Sequence, residues 1–333
     1  MKYGALAVGE MKAQPCSASA VVVACVLLSV GCGARTGFGS DLSSPSVPGT
    51  GGAATCSTNW DQITWDPTVE EAAVYLWTVS ANDTWAVVSG DPTGPQSFYR
   101  DHWDGARWTR TANDSDAGQR FENQQIWAAD AALAFAGAPQ RLQTWSGSSW
   151  TDWQGTPGCD ALGGTAPTDF WCASTHVLYH FDGQSWTREP IAQSIQGLLA
   201  KARNDVWIWG STGASHFDGT RWTVELSDPI KRISASGPSD VWAVRDGDLL
   251  HSTGPGSAWI SQNPTGGRIA SVWSQSSTNT WIVAAGAAMR WNGSSWAVMD
   301  LPMQDERLLI SGSDADIWIA GTQMLAHGRP ACR

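Results

Sequence analysis

Histidine and aspartate are the residues at repeated positions of this chain that could serve as general bases or metal ligands. Five of the six histidines recur at one position of a repeated pattern, namely His102, His180, His216, His251 and His327. A second repeated position holds aspartate, in Asp83, Asp130, Asp169, Asp205, Asp240 and Asp316. Residues spread over many repeats do not converge on one point, as catalysis or metal binding requires. We therefore predict that the histidines pack and hydrogen-bond within their repeats, that the aspartates cap turns, and that no catalytic, metal or cofactor site is present.

The repeated pattern has two halves. The first is Asp-x-Trp followed by alternating apolar residues, as in Asp205-Val206-Trp207, with Asp130-Ala131-Ala132 as a degenerate copy. The second is an aromatic residue, a turn pair ending in Gly, two further residues and a Trp, as in Phe217-Asp218-Gly219-Thr220-Arg221-Trp222. Asp-Gly between β-prone residues is a strong hairpin signal. With an apolar segment before each Asp, every unit is predicted to form four short strands.

Units of about 40 residues with four strands are typical of the blades of a β-propeller. Seven units are present, and the last one stops after Met324–Gly328 without a closing Trp strand. The segment Trp60-Asp61-Gln62-Ile63 resembles such a closing strand. We therefore predict an all-β, seven-bladed propeller of four-stranded antiparallel blades over residues 56–333, closed by the N-terminal strand completing the last blade.

Composition supports this class of fold. The chain has 333 residues, of which 22 are Trp and 35 are Gly. So much Trp argues against a disordered chain, and so much Gly argues against a helical bundle. The formal net charge of -11 argues against binding to a nucleic-acid backbone.

The first 55 residues have the character of an export signal and a linker. Lys2 and Lys12 precede a short apolar run, which predicts a signal peptide over residues 1–31, with Met11 as a possible start. The run ends Leu28-Ser29-Val30-Gly31-Cys32 and resembles the lipobox of bacterial lipoproteins, which implies acylation of Cys32 and an outer-membrane, cell-surface or periplasmic location. Val22-Val23-Ala24-Cys25 also fits the short pattern but lies in the middle of the apolar run, so Cys32 is preferred. The alternative to acylation is a cleaved signal without lipid. Residues 32–55 then hold the lipidated Cys and a flexible Gly/Ser/Pro tether.

Four cysteines remain in the predicted domain, an even number that suits an exported protein. Cys56 and Cys332 flank the predicted closure of the ring, and Cys159 and Cys172 lie across one hairpin of the third unit. We predict one disulfide within each pair.

The unit Ile233-Ser-Ala-Ser-Gly-Pro-Ser-Asp240-Val241-Trp242-Ala-Val resembles the Trp-rich repeats of tectonin-type propellers and of myxobacterial secreted lipoproteins. The resemblance covers residues 56–333 and implies a carbohydrate-binding, non-catalytic module.

We expect an envelope glycan or protein as partner, contact with the membrane only through the lipid anchor, and a monomer. Trp77, Trp127 and Trp273 lie on the predicted innermost strands and are candidate ligand-stacking residues, although packing in the core is the alternative for each. The other functions that remain open are a propeller-type glycan hydrolase or lyase, and a structural envelope protein without a small ligand.

Overall fold

The structure is a computed structural model. It describes residues 56–57, 60–64, 72–90, 98–114, 125–138 and 141–332, apart from residues 154, 157, 175, 285, 302, 304, 306, 314, 315, 323 and 330. The predicted signal peptide, Cys32 and the tether lie outside the described residues.

Six consecutive four-stranded antiparallel sheets form blades 1 to 6, and each sheet keeps its strands in chain order. The strands of blades 1 to 3 are β3 (Ala72–Ser80), β4 (Asp83–Ser89), β5 (Phe98–Trp103), β6 (Trp108–Asp114), β7 (Ile126–Asp130), β8 (Leu133–Ala138), β9 (Arg141–Trp145), β10 (Trp150–Asp152), β11 (Ala161–Ala166), β12 (Asp169–Ser174), β13 (Val177–Phe181) and β14 (Trp186–Glu189). Those of blades 4 to 6 are β15 (Gly197–Ala202), β16 (Asp205–Gly210), β17 (Gly213–Phe217), β18 (Trp222–Leu226), β19 (Arg232–Gly237), β20 (Asp240–Arg245), β21 (Asp248–Ser252), β22 (Ile260–Ser261), β23 (Ile269–Ser276), β24 (Asn279–Ala284), β25 (Ala287–Trp291) and β26 (Trp296–Asp300). The first strand of each blade contacts the first strand of the next, so these strands line the central channel.

Blade 7 is assembled from both ends of the domain. It contains β27 (Leu309–Gly312), β28 (Ile317–Ala320), β29 (Met324–Gly328) and, as its outermost strand, β2 (Trp60–Thr64). Trp60 pairs with Gly328 and Thr64 with Met324, as the sequence predicts for a ring closed by its N-terminal strand. A short second sheet joins β1 (Cys56–Ser57) to β30 (Ala331–Cys332) beside this closure. The predicted seven-bladed architecture is therefore confirmed.

The turn pairs form hairpin turns because each combines a short polar side chain with a glycine in the left-handed region. In blade 1, Asp104 Oδ1 accepts hydrogen bonds of 2.9 Å from the backbone N–H groups of Ala106 and Arg107. Gly105 has φ +94°, and a Cβ at this position would also meet the side chain of Asn82. The sequence therefore fixes where each outer hairpin turns.

Tryptophan packing between blades holds the ring together. In four blades the Trp of the Asp-x-Trp segment inserts its edge between the two aromatic residues that flank the hairpin turn of the next blade. Trp85 meets Trp145 and Trp150 at ring distances of 5.9 and 5.8 Å, and Trp318 meets Trp103 and Trp108 at 5.2 Å each. Buried aromatic rings of this size remove 150–250 Å² each from water, roughly 4–6 kcal/mol as an upper bound. This packing explains why Trp recurs at both halves of the repeat.

Blade 2 differs from the predicted alignment. Phe135 pairs with Thr144 as Trp85 pairs with His102, so Leu133-Ala134-Phe135, and not Asp130-Ala131-Ala132, occupies the Asp-x-Trp positions. Asp130 is the last residue of β7, and its Oδ1 accepts the N–H groups of Ala132 and Leu133 in the turn that follows. The acidic residue in this blade thus caps a turn, and the repeat position itself holds leucine.

Candidate functional site

The central channel contains an open cavity of about 620 Å³. It is lined mainly by the innermost strands of blades 1, 4, 5, 6 and 7, which are β3, β15, β19, β23 and β27. We define the channel site as Tyr75, Trp77, Lys201, Arg232 and Trp273, the aromatic and cationic side chains of these strands that face the cavity.

Strand register arranges these side chains in levels along the channel. Tyr75, Arg232 and Ser271 share one level, because each pairs with the residue two positions after the repeat Trp of its blade. Trp77 and Trp273 lie at the next level, each paired directly with the repeat Trp. The same level holds Trp127 in blade 2 and, in blades 3, 4, 5 and 7, Gly163, Leu199, Ser234 and Ser311.

A β-bulge marks the other end of the channel. The innermost strands of blades 1 to 6 each shift register just before the Asp-x-Trp strand, and the bulged residue is Lys201 in blade 4 and Gln275 in blade 6. A strand rises about 3.3 Å per residue, so the four residues between the level of Arg232 and the bulge correspond to roughly 13 Å. The two cations of the channel site therefore lie near opposite ends of the channel.

The three predicted stacking tryptophans occupy one repeat position but have different surroundings. Trp77 and Trp273 are half-buried and line the cavity, and the indole N–H of Trp77 donates to the carbonyl oxygen of Ala128 at 3.1 Å. Trp127 is only 5% exposed and packs between Phe135 and Phe170 at ring distances of 5.7 and 5.5 Å. Trp127 is therefore a core residue, whereas the other two can present an aromatic surface to a ligand.

Partial burial changes the ionisation of the channel site. Burial raises the pKa of Tyr75 to about 12, and the nearby positive charge of Arg232 opposes this shift. Burial lowers the pKa of the Arg232 guanidinium, against the influence of Tyr75. The pKa of Lys201 is likewise lowered by burial, although Asp205 counteracts it. Both cationic groups have thus lost part of their hydration, and sequence repeats alone did not point to either of them.

The repeated histidines and aspartates form one structural unit in five blades. In each, His Nε2 lies 2.7 to 2.9 Å from an Asp Oδ1, and the imidazole stacks or tilts against the repeat Trp at 4.0 to 4.6 Å. The Asp side chains accept mainly side-chain donors, so the predicted turn capping is wrong for these five. In blade 5, burial alone would raise the pKa of Asp240, but hydrogen bonds from His251, Ser236 and Ser274 hold it below its usual value.

Two blades replace this unit with a matched alternative. Blade 6 has Asn279 and Arg290, and Arg290 Nε donates to Asn279 Oδ1 at 2.9 Å. Blade 2 has Leu133 and Thr144, which leaves neither an acid nor a histidine. Because the partners change together, the unit serves packing within each blade, as predicted for the histidines.

The cysteines in blade 3 are joined as predicted. Cys159 and Cys172 form a disulfide with a Cα–Cα distance of 5.3 Å, and both residues are fully buried. Cys56 and Cys332 are direct backbone partners in the β1–β30 pair. Their side chains lie outside the described part of the structure, so the second disulfide remains a prediction.

No group of three or more His, Cys, Asp or Glu side chains in the described ranges is placed to hold a metal ion. In the same ranges no helix has the length and apolar character needed to cross a membrane.

Comparisons with known proteins relate this chain to others by fold. No protein-family model matches it, and no curated protein matches it by sequence. A structure titled "YCF48 bound to D1 peptide" is similar over 80% of this chain and 96% of its own, with a TM-score of 0.61 and 13% identity. The extracellular domain of the putative hybrid two component system BT4673 from B. thetaiotaomicron is similar over 81% of this chain and 40% of its own, with a TM-score of 0.60 and 10% identity. The RRP9 WD40 repeats are similar over 82% of this chain and their whole length, with a TM-score of 0.57 and 10% identity. At these identities the similarity establishes the β-propeller fold.

Proposed function

We propose that this protein is a non-catalytic binding module of the bacterial envelope that takes its ligand in the channel site. The observation that carries the proposal is the open cavity of about 620 Å³ lined by half-buried Tyr75, Trp77, Trp273 and Arg232. Concave, partly apolar cavities with a few polar groups are the usual form of ligand sites. Each of these aromatic rings can contribute contact area to a bound molecule.

The chemistry of the cavity favours binding over hydrolysis. Glycoside hydrolysis needs two carboxyl groups on either side of the scissile bond. The only carboxylate among the described lining residues is Asp316, which is bound by His327 Nε2 at 2.8 Å and by Arg329 Nε at 3.0 Å. A hydrolase or lyase acting in this cavity would need a second acid that is not among its described lining residues.

Similar propellers support a protein ligand as the second candidate. YCF48 has been captured with a D1 peptide, and another similar chain belongs to the Mitotic Checkpoint Complex. The resemblance of the repeat to tectonin-type repeats favours a glycan. Both kinds of ligand are compatible with a binding module, and neither requires chemistry from the blades.

The proposed location follows from the N-terminal sequence. A signal peptide and a lipid on Cys32, followed by the tether, would hold the propeller near the membrane while its channel remains open to solvent. A purely structural envelope protein would not need an open cavity lined by half-buried aromatic and cationic side chains.

A paired screen tests the proposal. The full-length chain, exported in a bacterial host and purified in detergent, is applied to a glycan array and used to capture envelope proteins. We expect at least one saturable ligand whose turnover is undetectable on prolonged incubation. No ligand in either screen, or chemical conversion of the ligand, would contradict the proposal.

A further inference from the structure

The cationic character of the channel is opposite to that of the whole chain. The formal net charge is -11, yet two of the three charged side chains among the described cavity-lining residues, Lys201 and Arg232, are cationic, and the third is Asp316. Asp316, the lining carboxylate, is already engaged by His327 and Arg329. The local charge of the cavity therefore favours an anion over a neutral or cationic ligand.

Arg232 differs from other arginines of the propeller in its surroundings. Arg110, Arg245 and Arg329 each reach a carboxylate oxygen at 3.0 Å. No hydrogen bond or ion pair connects the Arg232 side chain to another residue within the described ranges, and the Tyr75 side chain is the group that influences its charge. A half-buried guanidinium without a carboxylate retains its full capacity for a bidentate bond to one.

We propose that the channel site binds an acidic saccharide, with Arg232 and Tyr75 holding its carboxylate and the indoles of Trp77 and Trp273 contacting its ring. This inference rests on the proposed function and specifies the ligand class of the same site.

Two neighbouring levels of the channel favour a sugar acid over an acidic peptide. Arg232 shares its level of the channel with Tyr75 and Ser271, which supply hydroxyl groups. The next level presents Trp77 and Trp273, whose flat faces suit the C–H face of a sugar ring. A uronic acid carries a carboxylate, hydroxyls and an apolar face on one rigid ring. A glutamate side chain carries its carboxylate on a flexible stem and leaves the hydroxyls and indoles without matching partners.

Calorimetric titration of the full-length chain with digalacturonic acid tests this inference. Neutral galactobiose serves as the uncharged sugar, and an acetylated, amidated triglutamate serves as the acidic peptide. We expect digalacturonic acid to bind at least about tenfold more tightly than either, because hydrogen bonds to a charged group are involved.

Single substitutions test whether Arg232 is responsible for the preference for the acidic sugar. Arg232→Gln should weaken digalacturonic acid binding by about 10- to 100-fold, and Arg232→Lys should restore part of it. Lys231→Gln is the matched control, because it removes a positive charge one residue away whose side chain is exposed and outside the cavity lining. That variant should change the affinity by less than about twofold, as expected for a screened surface charge. Thermal melting of each variant verifies that the propeller is folded.

The outcomes separate this inference from the proposed function. Equal binding of the neutral sugar, tighter binding of triglutamate, or an unchanged affinity in folded Arg232→Gln would overturn the acidic-saccharide assignment. If the array or the capture experiment identifies a ligand but digalacturonic acid does not bind, the assignment fails and the binding module stands. If both screens and the titration are negative, the two fail together.

Discussion

An unpaired carboxylate oxygen in blade 4 leads to a specific stability prediction. Asp205 Oδ1 is bonded by Trp207 Nε1 and His216 Nε2, but its buried Oδ2 has no hydrogen-bond partner among the described residues. The residue four positions earlier supplies this partner in two other blades. Thr165 donates to Asp169 Oδ2, and Ser236 donates to Asp240 Oδ2 at 2.5 Å.

Blade 4 has Lys201 at this position, and it lines the channel. We predict that Lys201→Ser stabilises the protein by about 1 kcal/mol. A new hydrogen bond to a buried carboxylate contributes about 1.5–3 kcal/mol. Removing the solvent-screened attraction between Lys201 and Asp205 costs up to about 1 kcal/mol.

The assay is equilibrium unfolding in urea, with the midpoint followed by Trp fluorescence. Lys201→Ala is the matched control, because it removes the same charge without adding a hydroxyl, and it should be neutral or slightly destabilising. Ser236→Ala makes the reverse change in blade 5 and should destabilise by about 1–3 kcal/mol. Identical midpoints for Lys201→Ser and Lys201→Ala would refute the role assigned to this position.

Three further predictions concern acid stability, the disulfide and the lipid. Because the pKa of Asp240 is lowered, its carboxylate stabilises the fold above the unfolded pKa of 3.8, and this stabilisation is lost as the pH falls through the folded pKa. Asp240→Asn should therefore unfold more easily than the parent at pH 6, and the difference in stability should be smaller at pH 2. A stability difference that does not change with pH would argue against this reasoning. Replacing Cys159 and Cys172 together by Ser should cost about 3 kcal/mol in urea unfolding, because the bond closes a 13-residue separation, and an unchanged midpoint would contradict a stabilising bond. Metabolic palmitate labelling should disappear in Cys32→Ser and persist in Cys25→Ser, and retained label in Cys32→Ser would exclude Cys32 as the acylated residue.

The architecture could be predicted because the same pattern of strands and turns occurs several times in the sequence. Turn pairs such as Asp104-Gly105 fix the outer hairpins, and the Trp positions identify the surfaces between blades. The missing last strand of the seventh unit and the unattached segment at Trp60 indicated the closure. The prediction of four-stranded blades rests on several copies of the pattern, so a single irregular turn such as that of residues 253–259 does not change it.

The alignment of blade 2 was wrong because Asp130 was matched to the repeat Asp by residue type alone, without the histidine that accompanies that Asp in other blades. Asp130 resembled the repeat Asp, but its Oδ1 caps its own turn. Leu133 occupies the position of the repeat Asp, and Thr144 occupies the position of the repeat His. A leucine side chain accepts no hydrogen bond, so a histidine partner is not needed. The paired loss of both polar residues could have indicated the alignment.

The channel site was only partly accessible from sequence. Trp77 and Trp273 were predicted from their place on inner strands, but the burial of Trp127 depends on Phe170 of the next blade. Tyr75 and Arg232 belong to blades 1 and 5, and they share a level only when the register of both blades is known. Charged residues at the start of predicted inner strands were the signal that could have drawn attention to Arg232.

Filling the channel is the most direct test of the claim that it is the ligand site. Leu199 lines the cavity at the level where blades 1, 2 and 6 carry Trp, so the repeat can accommodate Leu199→Trp. Val224→Trp is the control, since Val224 is 67% exposed on the outer strand of the same blade. Ligand captured by the parent chain is measured on both variants. We expect binding to be lost in folded Leu199→Trp and retained in Val224→Trp, and full binding by Leu199→Trp would contradict the channel as the site.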